Sequence, residues 1–269
     1  MDDSTSQPLV SVPVITYKSS KTVVETLDSI YNQTYPNMEL IVSDDCSTDN
    51  TVEICRKWIE AHKERFARTE LLVVEKNTGV SANMNRAEEA CRGEWVKPIA
   101  GDDILLPDCI ETYMDFVLEY PEAVYVFSRI KRFTEIDGVK QYKDYPLDYV
   151  FFQWETKRQI DFLLKEYNCI PAPTSFYNRH VIKKKNLKND ETIPLIDDWP
   201  RWIECLKKGI HFDFIDRCVV LYRCSGFSVS QSSVFCVKYR KSLSLFYLKY
   251  QFYQIFLQLD LDFLIFHIF

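Results

Sequence analysis

The chain has 269 residues, 46% apolar and 27% charged, with a formal net charge of −6. This composition fits a globular domain of moderate size, or a domain with an appendage, and excludes a disordered or fibrous chain. Only 6 glycines occur, and no two are spaced for a G-x-G-x-x-G dinucleotide turn or a G-x-x-x-x-G-K-[ST] loop, so any phosphate chemistry must use a metal or side chains. The acidic balance also argues against a nucleic-acid partner, despite basic clusters at 129–132 and 183–185. Nine cysteines, odd in number and with no C-x-x-C pair, read as small buried hydrophobes in a reducing, cytosolic setting. Residues 1–8 carry no apolar leader, and no uninterrupted apolar run reaches the length of a membrane span.

In chain order, apolar runs at 9–16, 38–43, 71–75, 95–100 and 123–128 alternate with segments of helical period over the first 130 residues. The pattern is βαβαβ. Near-continuous runs such as Leu40-Ile41-Val42 imply burial on both faces, hence an α/β fold with a mostly parallel central sheet covered by helices. Helix starts are marked by Asn50 with Glu53 at capping distance, by Ser81 in a segment ending at Gly93, and by Pro107-Asp108 in a run closing before Pro121. Beyond about Phe133 the sequence becomes aromatic and irregular. A helix is expected at 155–166, a Pro-containing extended piece at 170–177 and a helix from about Asp198 to Lys208. Residues 234–269, dense in Phe, Tyr, Leu and Ile with sparse Lys and Arg, read as one or two amphipathic helices. They serve either as a core or subunit-contact element or as a membrane-surface anchor.

Three acidic pairs stand out: Asp44-Asp45, Asp102-Asp103 and Asp197-Asp198. The first two directly follow expected strands, so in a parallel sheet both emerge at the edge where ligands bind, onto which Thr16-Tyr17 should also open. Crowded carboxylates raise one another's pKa unless a cation or hydrogen-bond donors compensate. A hard divalent ion, Mn²⁺ or Mg²⁺, is the simplest compensation, and such ions complete their shells with water and substrate phosphates. The competing reading of both pairs is a turn, with a helix N-cap after Asp45. Asp197-Asp198 heads a helix whose first turn contains Pro200. A helix N-terminus stabilises an ionised carboxylate, which suits a proton acceptor; the competing reading is again an N-cap.

Together these segments resemble the family 2 nucleotide-sugar glycosyltransferases, which have the GT-A fold. The likeness is carried by residues 10–17 with 29–37, by Glu39 through Asp44-Asp45 to Thr51, by Asn77-Thr78-Gly79-Val80-Ser81-Ala82-Asn83-Met84-Asn85, and by Gly101-Asp102-Asp103 through Pro107. It covers roughly 8–128, then thins until residues 194–202 around Asp197-Asp198, and until Tyr222-Arg223 with Ser228 and Ser230. The resemblance implies a GT-A domain over 8–232, with a nucleotide-sugar half at 8–103, an acceptor half at 104–232 and the aromatic tail at 233–269. It implies donor contacts from Thr16, Tyr17, Asp44, Asp45, Asn77, Gly79, Ser81, Asn85, Asp103 and Arg223. Thr16 and Tyr17 would line the nucleoside pocket, Asp44 or Asp45 would accept from the base, and Arg223 would approach the diphosphate. Asp102 falls at the metal carboxylate and Asp198 at the general base, with Asp197 in place of a commoner glutamate. Departures are Ala100 at the first Asp of D-x-D, Met84 for a frequent arginine and Ser225 for a frequent histidine.

The implied activity is inverting, metal-dependent transfer of a sugar from a nucleoside-diphosphate sugar, with uracil the usual base, to an acceptor hydroxyl in bacterial polysaccharide, capsule or lipid-linked glycan synthesis. The enzyme would be cytoplasmic, or peripheral at the cytoplasmic membrane face through its tail. Acceptors would be saccharides or lipid-linked saccharides, and oligomers are compatible with this picture. A noncatalytic sugar-nucleotide binder or assembly partner is the alternative. A metal-dependent nucleotidyltransferase ranks third because no basic, Gly-rich triphosphate loop is present.

Overall fold

A computed structural model describes residues 7–145, 149–193, 195–224 and 233–252. The first half alternates as the hydrophobic pattern requires: β1 (Val10–Thr16), α1 (Val23–Tyr31), β2 (Met38–Asp44), α2 (Thr51–His62), β3 (Arg68–Val73), α3 (Val80–Ala90), then the short strands β4 (Trp95–Val96), β5 (Ile99–Ala100) and β6 (Ile104–Leu105), and α4 (Cys109–Glu119). The second half comprises β7 (Tyr125–Ile136), β8 (Val139–Asp144), α5 (Thr156–Lys165), β9 (Phe176–Asn178), α6 (Arg179–Lys184), α7 (Asp198–Lys207), β10 (Phe212–Arg223) and α8 (Ser233–Phe246). Pro194, Ser225, Ser228, Ser230 and the tail from 253 onward lie outside the described residues.

The strands form one sheet of order β3-β2-β1-β4-β9-β7-β10-β6, with β5 beside β1 and β8 beside β7. Pairings β1–β2, β2–β3, β1–β4, β1–β5 and β7–β10 are parallel; β9, β6 and β8 run against their neighbours. Because β9 is antiparallel to both β4 and β7, the C-terminal ends of β1, β2, β5, β7 and β10 all reach the same edge. The expected run 95–100 is two strands rather than one, since Pro98 has no N–H to give the ladder. The third strand begins at Arg68, three residues early, where the Arg68 guanidinium pairs with the buried Glu39 at 2.9 Å. The expected run 123–128 becomes β7, which continues to Ile136 because Asp137 and Gly138, both with left-handed backbone (φ 52° and 76°), turn it into the β8 hairpin.

Side chains alternate across the sheet with period two. Val10, Val12, Val14, Leu40, Val42 and Val126 pack into one core with α1, α2 and α4. Ile41, Val96, Tyr125 and Phe127 pack into the other with α5, α7 and α8. The fold is thus a three-layer sandwich. The described part of the aromatic C-terminal stretch belongs to this second core: Phe246 is fully buried, its ring 4.3 Å from that of Trp199 on α7. Among the described residues no helix is long and apolar enough to cross a membrane.

Candidate active site

The shared edge carries the first two acidic pairs. Thr16 and Asp44 stand opposite each other in the β1–β2 register, and the Thr16 hydroxyl donates to Asp44 Oδ2 at 2.8 Å. The Ser47 amide and hydroxyl donate to Asp44 at 2.7 and 2.6 Å, folding the chain back over the strand end. Cys46 absorbs that turn in left-handed backbone (φ 65°). Asp45 turns the other way. Its carboxylate accepts from the Thr78 amide (3.0 Å), the Thr78 hydroxyl (2.6 Å) and the Gly79 amide (2.8 Å), with Arg86 at 3.3 Å. Asn77 donates to the Asp45 carbonyl at 3.1 Å, and Gly79, with φ 90°, opens α3. Ser81 and Asn85 continue along α3 and face the loop that precedes α7: Asn85 exchanges hydrogen bonds with the Asn189 backbone at 3.0 and 2.9 Å, and Ser81 reaches the Ile193 carbonyl at 3.5 Å. Of the residues expected at the nucleoside, Tyr17 is the open one, 43% exposed, while Thr16, Asp44 and Asp45 are buried.

The Gly101–Asp103 turn is stitched to the end of β1 and to α1. Gly101 N–H donates to the Ile15 carbonyl at 2.9 Å, and the hydroxyls of Thr22 and Thr26 donate to the carbonyls of Gly101 and Asp103 at 2.8 Å each. A Cβ on Gly101 would come within 2.8 Å of Thr16 Cγ2, so this approach of the turn to β1 needs glycine. Asp102 is partly exposed at the edge. Burial raises its pKa, and the positive charge of Arg223 partly offsets the rise. Asp103 is buried; its Oδ1 accepts from the Arg223 amide at 3.0 Å and its Oδ2 has no partner among the described residues. Burial, then the neighbouring Asp102, pushes its pKa well above the usual carboxylate range.

An orphaned buried carboxylate oxygen beside a more open carboxylate is a donor set that suits a divalent cation, which would offset both penalties. Among the described residues no group of three or more His, Cys, Asp or Glu is arranged to hold a metal. A hard cation at this pair would therefore depend on water or substrate oxygens for most of its shell.

Arg223 does more at this turn than its expected role suggests. Nε donates to the Asp102 carbonyl at 2.9 Å, Nη1 lies 3.1 Å from Glu135 Oε2, Nη2 pairs with Glu25, and the guanidinium stacks 4.5 Å over Phe133. Glu25 in turn binds Lys140 on β8. The arginine therefore ties β10, α1 and the β7–β8 hairpin around the turn. Beneath it, Lys97 is fully buried, donates to the carbonyls of Pro98 (3.0 Å) and Pro173 (2.6 Å), and is pulled down to about 8 by desolvation.

The third acidic pair sits at the head of α7. Asp197 occupies the cap position without making a cap bond; Asp198 Oδ1 instead accepts from the Trp199 amide at 2.7 Å, and Oδ2 from Asn168 Nδ2 at 2.8 Å. Asp198 keeps some surface, yet protein surrounds it on most sides, and burial with the repulsion of Asp197 pushes its pKa up to about 7. The helix N-terminus does not hold this acid low, because desolvation outweighs the local donors. A small cavity of about 40 Å³ is lined by Asp197 and Asp198 together with Met84 of α3 and Pro98 between β4 and β5. On the other side, Tyr145 lies within electrostatic reach of both Asp198 and Tyr222, and Tyr222 within reach of Asp102 and Asp103. Asp197 and Asp198 thus share a cavity with Pro98, three residues before the Gly101–Asp103 turn.

Several residues of this region had no signal in the sequence. Asn168, Glu25, Glu135 and Tyr239, the last within electrostatic reach of Asp198 from α8, come from segments without motifs, whereas Tyr145 belongs to the aromatic stretch expected on the acceptor side. Lys97 alone carried a cue, a lysine inside an apolar run that had to be buried.

The profile of the family described as glycosyl transferase family 2 matches residues 11–184. The TuaG glycosyltransferase of Bacillus subtilis (strain 168), named for teichuronic acid biosynthesis, is 26% identical over 84% of this chain and 83% of its own length. A chondroitin synthase of Escherichia coli is 35% identical over 40% of this chain but 15% of its own length. Among solved structures, S. aureus TarS 1-349 in complex with UDP-GlcNAc superposes with a TM-score of 0.64 at 20% identity, covering 80% of this chain and 58% of that one. The mannosyltransferase PcManGT from Pyrobaculum calidifontis, in complex with GDP-Man and Mn²⁺, gives 0.60 at 19% identity, covering 83% and 59%. The chain thus spans less than two thirds of either solved neighbour. At these identities the structural likeness speaks for the fold, which is GT-A.

Proposed function

Because this chain belongs to glycosyl transferase family 2, we propose that it moves a sugar, with inversion, from a nucleoside-diphosphate sugar of the UDP type to an acceptor hydroxyl in polysaccharide or lipid-linked glycan synthesis. The observation that carries the reading is Asp198: a carboxylate that burial pushes up to about 7, held by Asn168 and the Trp199 amide at the head of α7. A base titrating near neutral pH takes a hydroxyl proton efficiently. Asp198 takes the acceptor's proton as the acceptor oxygen bonds to the anomeric carbon, and the bond to the diphosphate breaks with its electron pair leaving on the nucleotide. Tyr17 offers its exposed ring to the nucleoside, while Asp45 sets the 77–79 loop and Asp44 the strand end around it. Arg223 keeps the Gly101–Asp103 turn fixed through Asp102 and Asp103. Asp102, backed by Asp103, would hold Mn²⁺ or Mg²⁺. Bound there, the cation would supply charge stabilisation for the departing diphosphate.

Two measurements test this. UDP-GlcNAc and GDP-Man, each with and without Mn²⁺, are screened for thermal stabilisation, since a ligand bound only by the folded chain raises its melting temperature. Then Asp198→Asn is assayed: transfer should fall by roughly 10²- to 10⁴-fold with donor binding intact. Full turnover in that variant would overturn the base assignment. Donor binding without turnover in the parent chain would favour the noncatalytic reading.

A further inference from the structure

Beneath the head of α7 lies a set of buried charges that this mechanism leaves without a task. Arg201, one turn below Asp197, is 3% exposed. Its Nη1 donates to Glu88 Oε1 of α3 at 2.6 Å and to Asn189 Oδ1 at 3.1 Å. Glu88 Oε1 also accepts from the Tyr177 hydroxyl at 2.5 Å, and the guanidinium lies 4.8 Å over the Tyr177 ring. These contacts fix one edge of the guanidinium. Nε and Nη2, together with Trp202 Nε1, are buried with no partner among the described residues. Buried donors are very seldom left unmade. Here Arg201 and Trp202 line the same cavity of about 40 Å³ as Asp197 and Asp198. Its polar walls and its size suit an ordered water.

We propose that Arg201, oriented by Glu88, is the positioning residue of the Asp197–Asp198 pair: its two uncommitted nitrogens, Nε and Nη2, acting across this cavity and through a water in it, hold the pair at the head of α7 for proton removal. The proposal rests on the reading of Asp198 as the base. Asp197 feels Arg201 as a stabilising charge and Glu88 as a repelling one. The other groups facing the pair are Asn168, Tyr145 and, from α8, Tyr239. An arginine that merely glued α7 to α3 would also be buried against Glu88, but it would not need Nε and Nη2 left without partners beside the cavity that the acidic pair lines.

The test is a carboxyl ¹³C NMR titration of the intact chain, with Asp197→Asn and Asp198→Asn assigning the two signals. Arg201→Gln removes the cation, so the pair should keep its proton to higher pH, by about one unit. Glu88→Gln keeps acceptors for Tyr177 and Arg201 while removing a negative charge, so the pair should ionise at lower pH. Shifts of opposite sign support the proposal. Unmoved titrations, or shifts of the same sign, overturn it. If Arg201→Gln does not fold, Glu88→Gln decides alone, a lower titration supporting the proposal and an unmoved or higher one overturning it. The titration needs no substrate, so its failure is distinct from failure of the transferase reading, which the Asp198→Asn turnover assay reports.

Discussion

Asp45→Asn separates two jobs that one carboxylate could do. The side chain is 2% exposed and collects the Thr78 amide, the Thr78 hydroxyl, the Gly79 amide and the Arg86 guanidinium. An amide of the same shape keeps one oxygen, which can stay against the two backbone N–H groups. Its NH₂ then faces Arg86, donor against donor, while Thr78 Oγ must reverse its role. Two charge-assisted contacts are lost outright. At roughly 1.5–3 kcal/mol for each hydrogen bond to a charged group, the expected cost is about 3–6 kcal/mol, or a melting temperature lower by about 10–15 °C for a domain of this size. Urea unfolding followed by tryptophan fluorescence measures it, with limited proteolysis reporting whether the 77–79 loop is released. A variant within about 0.5 kcal/mol of the parent that nevertheless loses donor affinity would refute the reasoning and return Asp45 to the nucleoside base.

Two further outcomes follow from the same geometry. Gly93→Ala should destabilise by about 3 kcal/mol, because an added Cβ would sit 2.6 Å from the Leu9 carbonyl and 2.7 Å from the Ser11 amide, which are backbone atoms, and would disturb the Gly93 N–H bond to the buried Glu39; a urea midpoint equal to the parent's would contradict it. Asp198→Asn should be close to neutral for stability at pH 4 and stabilising at pH 8. The folded chain keeps Asp198 protonated up to about 7, the unfolded chain ionises it near 3.8, and between those values the folded state binds more protons, so stability declines as pH rises. Melting curves at both pH values check the sign, and a variant that gains nothing at pH 8 would show that burial does not disfavour the charged base.

The alternation of apolar runs and helical segments was enough to specify a parallel α/β sheet, because β1, β2 and their helices bury both faces of the strands and leave no choice of side. Placing Asp44-Asp45 and Asp102-Asp103 at strand C-termini needed only that parallel order. The motif segments around them also identified the family. The limits of the strands followed longer-range contacts that no local pattern encodes: Arg68 enters β3 to meet Glu39, and β7 grows past its apolar run because the hairpin with β8 continues its ladder. What each acidic side chain does was likewise decided in three dimensions. Asp45 and Arg223 read as ligand-facing in one dimension, yet their partners, Thr78 and Gly79 for one and Glu25 and Glu135 for the other, lie 33 to 198 positions away. The ionisation of Asp198 shows the same division. Its place at a helix N-terminus is local and was legible, but its pKa depends on how completely α8, Tyr145 and the second core exclude water, and desolvation is a property of the packed whole rather than of any segment.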